Sequence, residues 1–136
     1  MTTGERMASV EENNLLSGAR TPLQGLESHT EARELVAKRF PRKTYCLVED
    51  WTVFRLDVTE AELAKIQAAG QQPLILFAHS VVEDSEVRFL PGQWVRSTMC
   101  SNFEDGVLFQ TRNTVYVLIG DGHEQTASLQ AVFSFF

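Results

Sequence analysis

The stretch Val115–Gln125, VYVLIGDGHEQ, decides how this chain is read. An apolar run enters Gly120-Asp121-Gly122, which is how a dinucleotide-binding loop begins. Such a loop needs a third small residue, where this chain has Gln125, then an amphipathic helix and a returning parallel strand, roughly 30 residues in all. Only 14 residues follow Gly122, and they become rich in strand-forming types toward the end, HEQTASLQAVFSFF. The glycines are therefore expected to turn the chain between the last two strands, with Asp121 and the glycines tolerating positive φ, and no phosphate is expected there.

Outward from that point the second half of the chain reads as β. VRFLPGQWVRSTM, GVLFQTRNTVYVLIG and LQAVFSFF are rich in Val, Phe, Tyr, Trp and Thr, and are divided by Pro91-Gly92, Asp105-Gly106 and Gly120-Asp121-Gly122. These runs lie too close together for helical crossovers, so antiparallel pairing is expected. PLILFAHSVVEDS is an unbroken apolar run of the kind covered on both faces, and is placed at the centre of the sheet. In TYCLVEDWTVFRLDV the residues Cys46, Val48, Thr52, Phe54, Leu56 and Val58 share one parity, interrupted by Asp50. Two strands, or one strand bent at Glu49-Asp50, follow from that pattern.

Two helices precede or divide these strands. Ser28 with Glu31 makes a capping-box pattern ahead of Ala32, Leu35, Val36 and Phe40, and Pro41 stops the run. Thr59 with Glu62 repeats the pattern, with Val58 and Leu63 at staple positions and Gly70 at the end. The expected class is α+β: a mostly antiparallel curved sheet or partial barrel with two short helices packed on one face.

A length of 136 residues, 43% hydrophobic and 22% charged, suits one globular domain, assigned to residues 29–136. Residues 1–28 carry only the Leu15-Leu16 and Leu23/Leu26 pairs and are expected to be a flexible tail, or a segment that orders on a partner. The formal charge of -6 opposes direct nucleic-acid binding. The longest apolar run, Pro73 to Ala78, is far shorter than the ~20 residues a membrane helix needs. Cys46 and Cys100 form no C-x-x-C clip and no signal-peptide segment opens the chain, so a cytoplasmic location is expected.

Candidates for chemistry are few. Glu49-Asp50, Glu83-Asp84 with Glu86, Glu104-Asp105, and Asp121 with Glu124 each fall where a strand should end. Converging carboxylates hold hard cations or work as acid–base pairs, whereas isolated ones solvate turns, and the spacing matches no metal loop. His29 and His123 lack a second ligand at metal spacing, so neither a metal nor a cofactor is expected. His79 and Cys100 would make a base and nucleophile if they met, against the plainer reading of a buried backbone-bonded histidine and a core cysteine. Arg96 and Arg112 would grip an anion if they shared a face with Ser97 or Thr98, or pair with the acidic loops, as would Arg88. Trp51, Trp94, Phe103 and Phe109 are candidate contact aromatics. The apolar end, with Phe133, Phe135 and Phe136, must pack inward or against a second subunit, which keeps a homodimer open.

Three stretches, FPRKTYCLVEDW, FLPGQWVRST and TRNTVYVLIGDG, together resemble a family of small uncharacterised proteins of pseudomonads and their phages, over roughly residues 32–122. The resemblance carries turn and core signatures and no catalytic residues. It implies a small protein that binds and obstructs a host or rival protein. The function expected from the sequence is accordingly protein–protein contact through the acidic loop Glu83, Asp84 and Glu86 and the aromatics Trp51 and Trp94. A small hydrolase or group-transfer enzyme using His79, Cys100 and the strand-end carboxylates is the alternative.

Overall fold

The chain runs straight through Gly120-Asp121-Gly122. The structure, a computed structural model, describes residues 19–135. In order, the elements are β1 (Arg20–Gln24), α1 (His29–Arg39), β2 (Tyr45–Asp57), α2 (Glu60–Ala68), β3 (Leu74–Asp84), β4 (Val95–Arg96), β5 (Asn102–Glu104), β6 (Leu108–Gln110), β7 (Val115–Ser128) and α3 (Leu129–Phe135). The expected reversal is thus one long strand, and Gly120 at φ +72 makes a bulge inside it. Gly122 is needed for a different reason: the buried Trp51 indole lies where a Cβ would stand.

The sheet is mixed and open, in the order β4-β3-β2-β7-β6-β5, with β1 beside β7. Every pair is antiparallel except β2 with β7. The α+β class, the curvature and the largely antiparallel pairing are as the sequence predicts. The centre differs: β2 and β7 occupy it, and β3 lies one place out. Close spacing excludes parallel pairing only for consecutive strands, and β2 and β7 are separated by four others.

β2 is one strand, broken in register where Glu49 faces Ile119 and Trp51 faces Gly122. Asp50, at φ 52, is the irregular residue. It swaps the parity of the strand: Cys46 and Val48 share a core with Trp51 and Val53, while Leu47 and, past the break, Phe54 and Leu56 sit in the clusters under the helices. Of the two expected readings, the single strand broken at Glu49-Asp50 holds, and the break places Cys46 and Val48 on one face and Phe54 and Leu56 on the other.

The larger core fills the inner face, around Trp51, Leu76, Ala78, Val95, Cys100, Phe109 and Leu118. The sheet curls over it. Cys100 donates its amide to Leu74 of β3 at 2.9 Å, and the next residue, Ser101, donates to Gln110 of β6 at 2.7 Å. Consecutive residues thus tie β3 to β6, strands on opposite sides of the central β2–β7 pair, which makes a partial barrel.

On the outer face, α1 covers Leu47, Val117 and Ile119 with Ala32 and Val36. α3 contributes Val132 to a cluster with Phe54, Leu56, Ile75 and Phe77. The C-terminal stretch, expected as a strand, is this helix. Ser128 Oγ accepts from Ala131 N at 3.1 Å, a helix-start bond, and Ala131 and Val132 point inward. α2 carries the full capping box of Thr59 and Glu62, yet buries no side chain, so α3 is the second covering helix. β1 falls inside the stretch expected as a tail, pairing Arg20–Gln24 with Asp121–Gln125. Leu15 and Leu16 lie outside the described residues.

Candidate functional site

Most strand-end carboxylates are held by nearby groups of the same chain. Glu83 accepts from Tyr45 Oη at 2.7 Å and from Arg33 Nε at 2.9 Å. The tyrosine hydroxyl, then the guanidinium, holds its carboxyl below the usual range. Asp84, with its side chain sealed from solvent, takes Arg88 Nη2 at 2.6 Å and Nε at 3.0 Å. Burial raises its pKa, but the Arg88 hydrogen bonds outweigh burial and the net shift is downward. Arg88 also donates to Thr114 at 3.0 Å, so this cluster clips the end of β3 to the start of β7. Glu49 pairs with His29, Glu104 with Arg39, and Glu124 with Arg55. Glu86 accepts from Thr44 Oγ1 at 3.5 Å.

These carboxylates do not converge. Among the described residues no three His, Cys, Asp or Glu side chains gather as metal ligands. Glu83 and Asp84, expected on a contact surface, are bonded to residues of this chain, Asp84 buried and Glu83 partly exposed. An acidic residue at a strand end is next to whichever helix or loop the topology brings there, and sequence spacing does not record that neighbour.

His79 and Cys100 lie on opposite faces. Cys100 is buried in the inner core, and burial pushes its thiol up to about 11. His79, expected to be buried and backbone-bonded, is exposed on the outer face, edge-on to Phe77 with ring centroids 4.7 Å apart. A nucleophile–base pair needs hydrogen-bond reach, and the sheet separates these two. Cys46 is sealed as well, its thiol pushed to about 12 first by burial and then by Asp84.

Trp51, read as a contact aromatic, is 1% exposed and donates from its indole nitrogen to Ile119 O at 3.2 Å. The parity swap at Asp50 turns it inward. Phe109 is also core, and Phe103 packs half-buried against it. Arg96 and Arg112 share no site: Arg96 is on β4 and Arg112 is in the loop between β6 and β7. Ser97 is buried and bonds Leu76 N and Thr98 O.

Trp94 stays outside, 57% exposed, stacked on Phe77 with centroids 5.9 Å apart. Phe77 is the register partner of Arg96, so Trp94, Arg96 and His79 lie along the outer face at the β4 edge. From the adjacent helix Phe133, 49% exposed, receives the Arg96 guanidinium over its ring at 4.6 Å. Arg96 Nε is buried with no hydrogen-bond acceptor among the described residues. The tight turn before β4, closed by Gln93 N to Leu90 O at 3.1 Å, presents Leu90, 58% exposed. A groove of about 650 Å³ opens at this edge, lined by His79, Phe89, Gln93, Trp94 and Arg96. Sequence reading found Trp94 and missed the groove, because His79 and Arg96 come to one edge only when β3 pairs with β4.

No helix among the described residues is long and apolar enough to cross a membrane. No curated protein and no solved structure matches the chain. A family match spans residues 24–134, enclosing all three stretches on which the sequence resemblance rests, and the chain belongs to that family, the domain of unknown function DUF6957.

Proposed function

We propose that this chain is a small protein–protein interaction module that meets its partner with the β4 edge and the groove beside it. One observation carries the reading: Leu90, Trp94 and Phe133 are large apolar side chains left in solvent, with Arg96 two residues beyond Trp94 and its guanidinium over the Phe133 ring. Exposed aromatic and apolar groups gathered beside an arginine are the usual composition of interface anchors, and contiguous apolar exposure is uncommon on a surface with no partner. The contact is aromatic and basic. The acidic version of the surface is weaker support, since Glu83 and Asp84 already have partners within the chain.

The resemblance to proteins of pseudomonads and phages supports a bacterial cytoplasm as the setting, and a host or rival protein obstructed by binding as the role. A photoreactive residue at His79 tests the site. Capture of a protein at that position, lost in Trp94→Ala and Leu90→Ala and retained in Glu83→Lys, is the expected result. Capture that survives both apolar truncations and fails in Glu83→Lys overturns the reading and returns the contact to the acidic loop.

A further inference from the structure

β4 is a terminal strand of the sheet, so among the described residues no strand lies along one side of its main chain. Ser97 N donates to Leu76 O, and Gln93 O accepts from Val81 N. Alternate residues of an antiparallel strand bond to alternate sides. Residues 93, 95 and 97 therefore bond inward to β3, and Trp94 and Arg96 direct their amides and carbonyls outward. Their side chains share the outer face. The edge thus reads, in order, aromatic ring, buried Val95, guanidinium.

That order is self-complementary. Turning the strand end for end about Val95 places Trp94 of one copy opposite Arg96 of the other, and Arg96 opposite Trp94. Both are outward-bonding positions, so each opposed pair exchanges two main-chain hydrogen bonds with Cα atoms about 5.5 Å apart. Each guanidinium then has an indole face beside it, a favourable cation–π arrangement, and no like charges stand directly opposed. A two-fold contact requires one patch to fit itself in this way. The neighbouring Leu90 and Phe133 supply apolar surface at its border.

We propose that the β4 edge is a homodimer contact, two copies pairing antiparallel about Val95 with Trp94 of each against Arg96 of the other. This rests on the interaction-module reading and names a second copy of the chain as the partner.

Sedimentation velocity on the full chain over a hundredfold concentration range around ~10 μM tests it, since a contact of one short strand pair belongs to the small, micromolar class. The unaltered chain is expected to pass from monomer to dimer. Trp94→Lys sets a cation against Arg96 of the other copy and is expected to weaken association at least tenfold. Trp94→Glu sets a carboxylate there and is expected to associate at least tenfold more tightly than Trp94→Lys. Because Trp94 is exposed, both variants fold, which near-ultraviolet circular dichroism checks. Equal weakening by lysine and glutamate overturns the register, and a monomer at every concentration overturns the dimer. If that monomer still captures a protein through Trp94, the interaction-module reading survives and the strand that docks belongs to another protein.

Discussion

Gly122→Ala is the sharpest perturbation of this fold. A Cβ at residue 122 would stand closer than 3.0 Å to three ring carbons of Trp51. Trp51 is 1% exposed, packed within the larger core and bonded through its indole nitrogen to Ile119 O. Either the indole moves and loses that bond, or β7 moves away from β2. Overpacking of a filled core costs about 1–3 kcal/mol, and the bond adds about 1 kcal/mol, so a loss of about 2–4 kcal/mol is expected. Gly120→Ala is the internal control two residues away. Gly120 has φ +72 and open space around its Cα, so that variant meets backbone strain of about 1–2 kcal/mol, partly offset by a less disordered unfolded chain. Urea unfolding followed by Trp51 fluorescence measures both, with m unchanged. If Gly122→Ala proves no more damaging than Gly120→Ala, the strand does not pass Trp51 as described, and a turn at Gly120-Asp121-Gly122 regains its standing.

Four further outcomes are expected. Asp84 has a folded-state pKa below its unfolded value of ~3.9, so its contribution is complete above that value and is lost as pH falls through the lower folded value. Asp84→Asn should cost about 2 kcal/mol at neutral pH and flatten the fall in stability as the medium is acidified below the ordinary carboxylate pKa; an unchanged slope contradicts the Arg88 clip. Cys46 and Cys100 should resist alkylation at pH 8 until the protein unfolds, and mass spectrometry showing rapid native labelling of Cys100 would reopen thiol chemistry. Val87 is 72% exposed and left-handed at φ 53, a strained setting for a β-branched residue, so Val87→Asn should raise stability by about 1 kcal/mol; a loss in thermal melting refutes the strain. Thr59→Ala removes a complete capping box from a helix that buries nothing. Hydrogen exchange should speed within Glu60–Ala68 by a factor matching about 1 kcal/mol and remain unchanged in β2 and β7.

Local chemistry made much of this fold legible. Ser28 and Thr59 mark helix starts because their hydroxyls bond amides three residues ahead, an interaction contained within one turn. Asp105-Gly106 turns β5 into β6 as expected, for the same local reason. The C-terminal helix was legible only in part: Ser128 carries the start signal, but the Phe and Val content of the stretch outweighs it in a propensity reading. At the candidate site, Trp94 was visible as an aromatic beside a Pro-Gly turn. Its companions were not, since Arg96 and Phe133 lie 37 positions apart.

By itself the sequence determined the class of the domain, the starts of the first two helices and most strand runs. These depend on neighbours a few residues apart, whose geometry the backbone repeats. Tertiary structure alone decided that β2 and β7 lie side by side, that Asp50 turns Trp51 from surface to core, and that Glu83 and Asp84 find cations within the chain. The physical reason is common to all three. A glycine or aspartate at positive φ permits a bulge or a turn with equal ease, and the choice follows from which strand stands opposite and which ring occupies the space beside it.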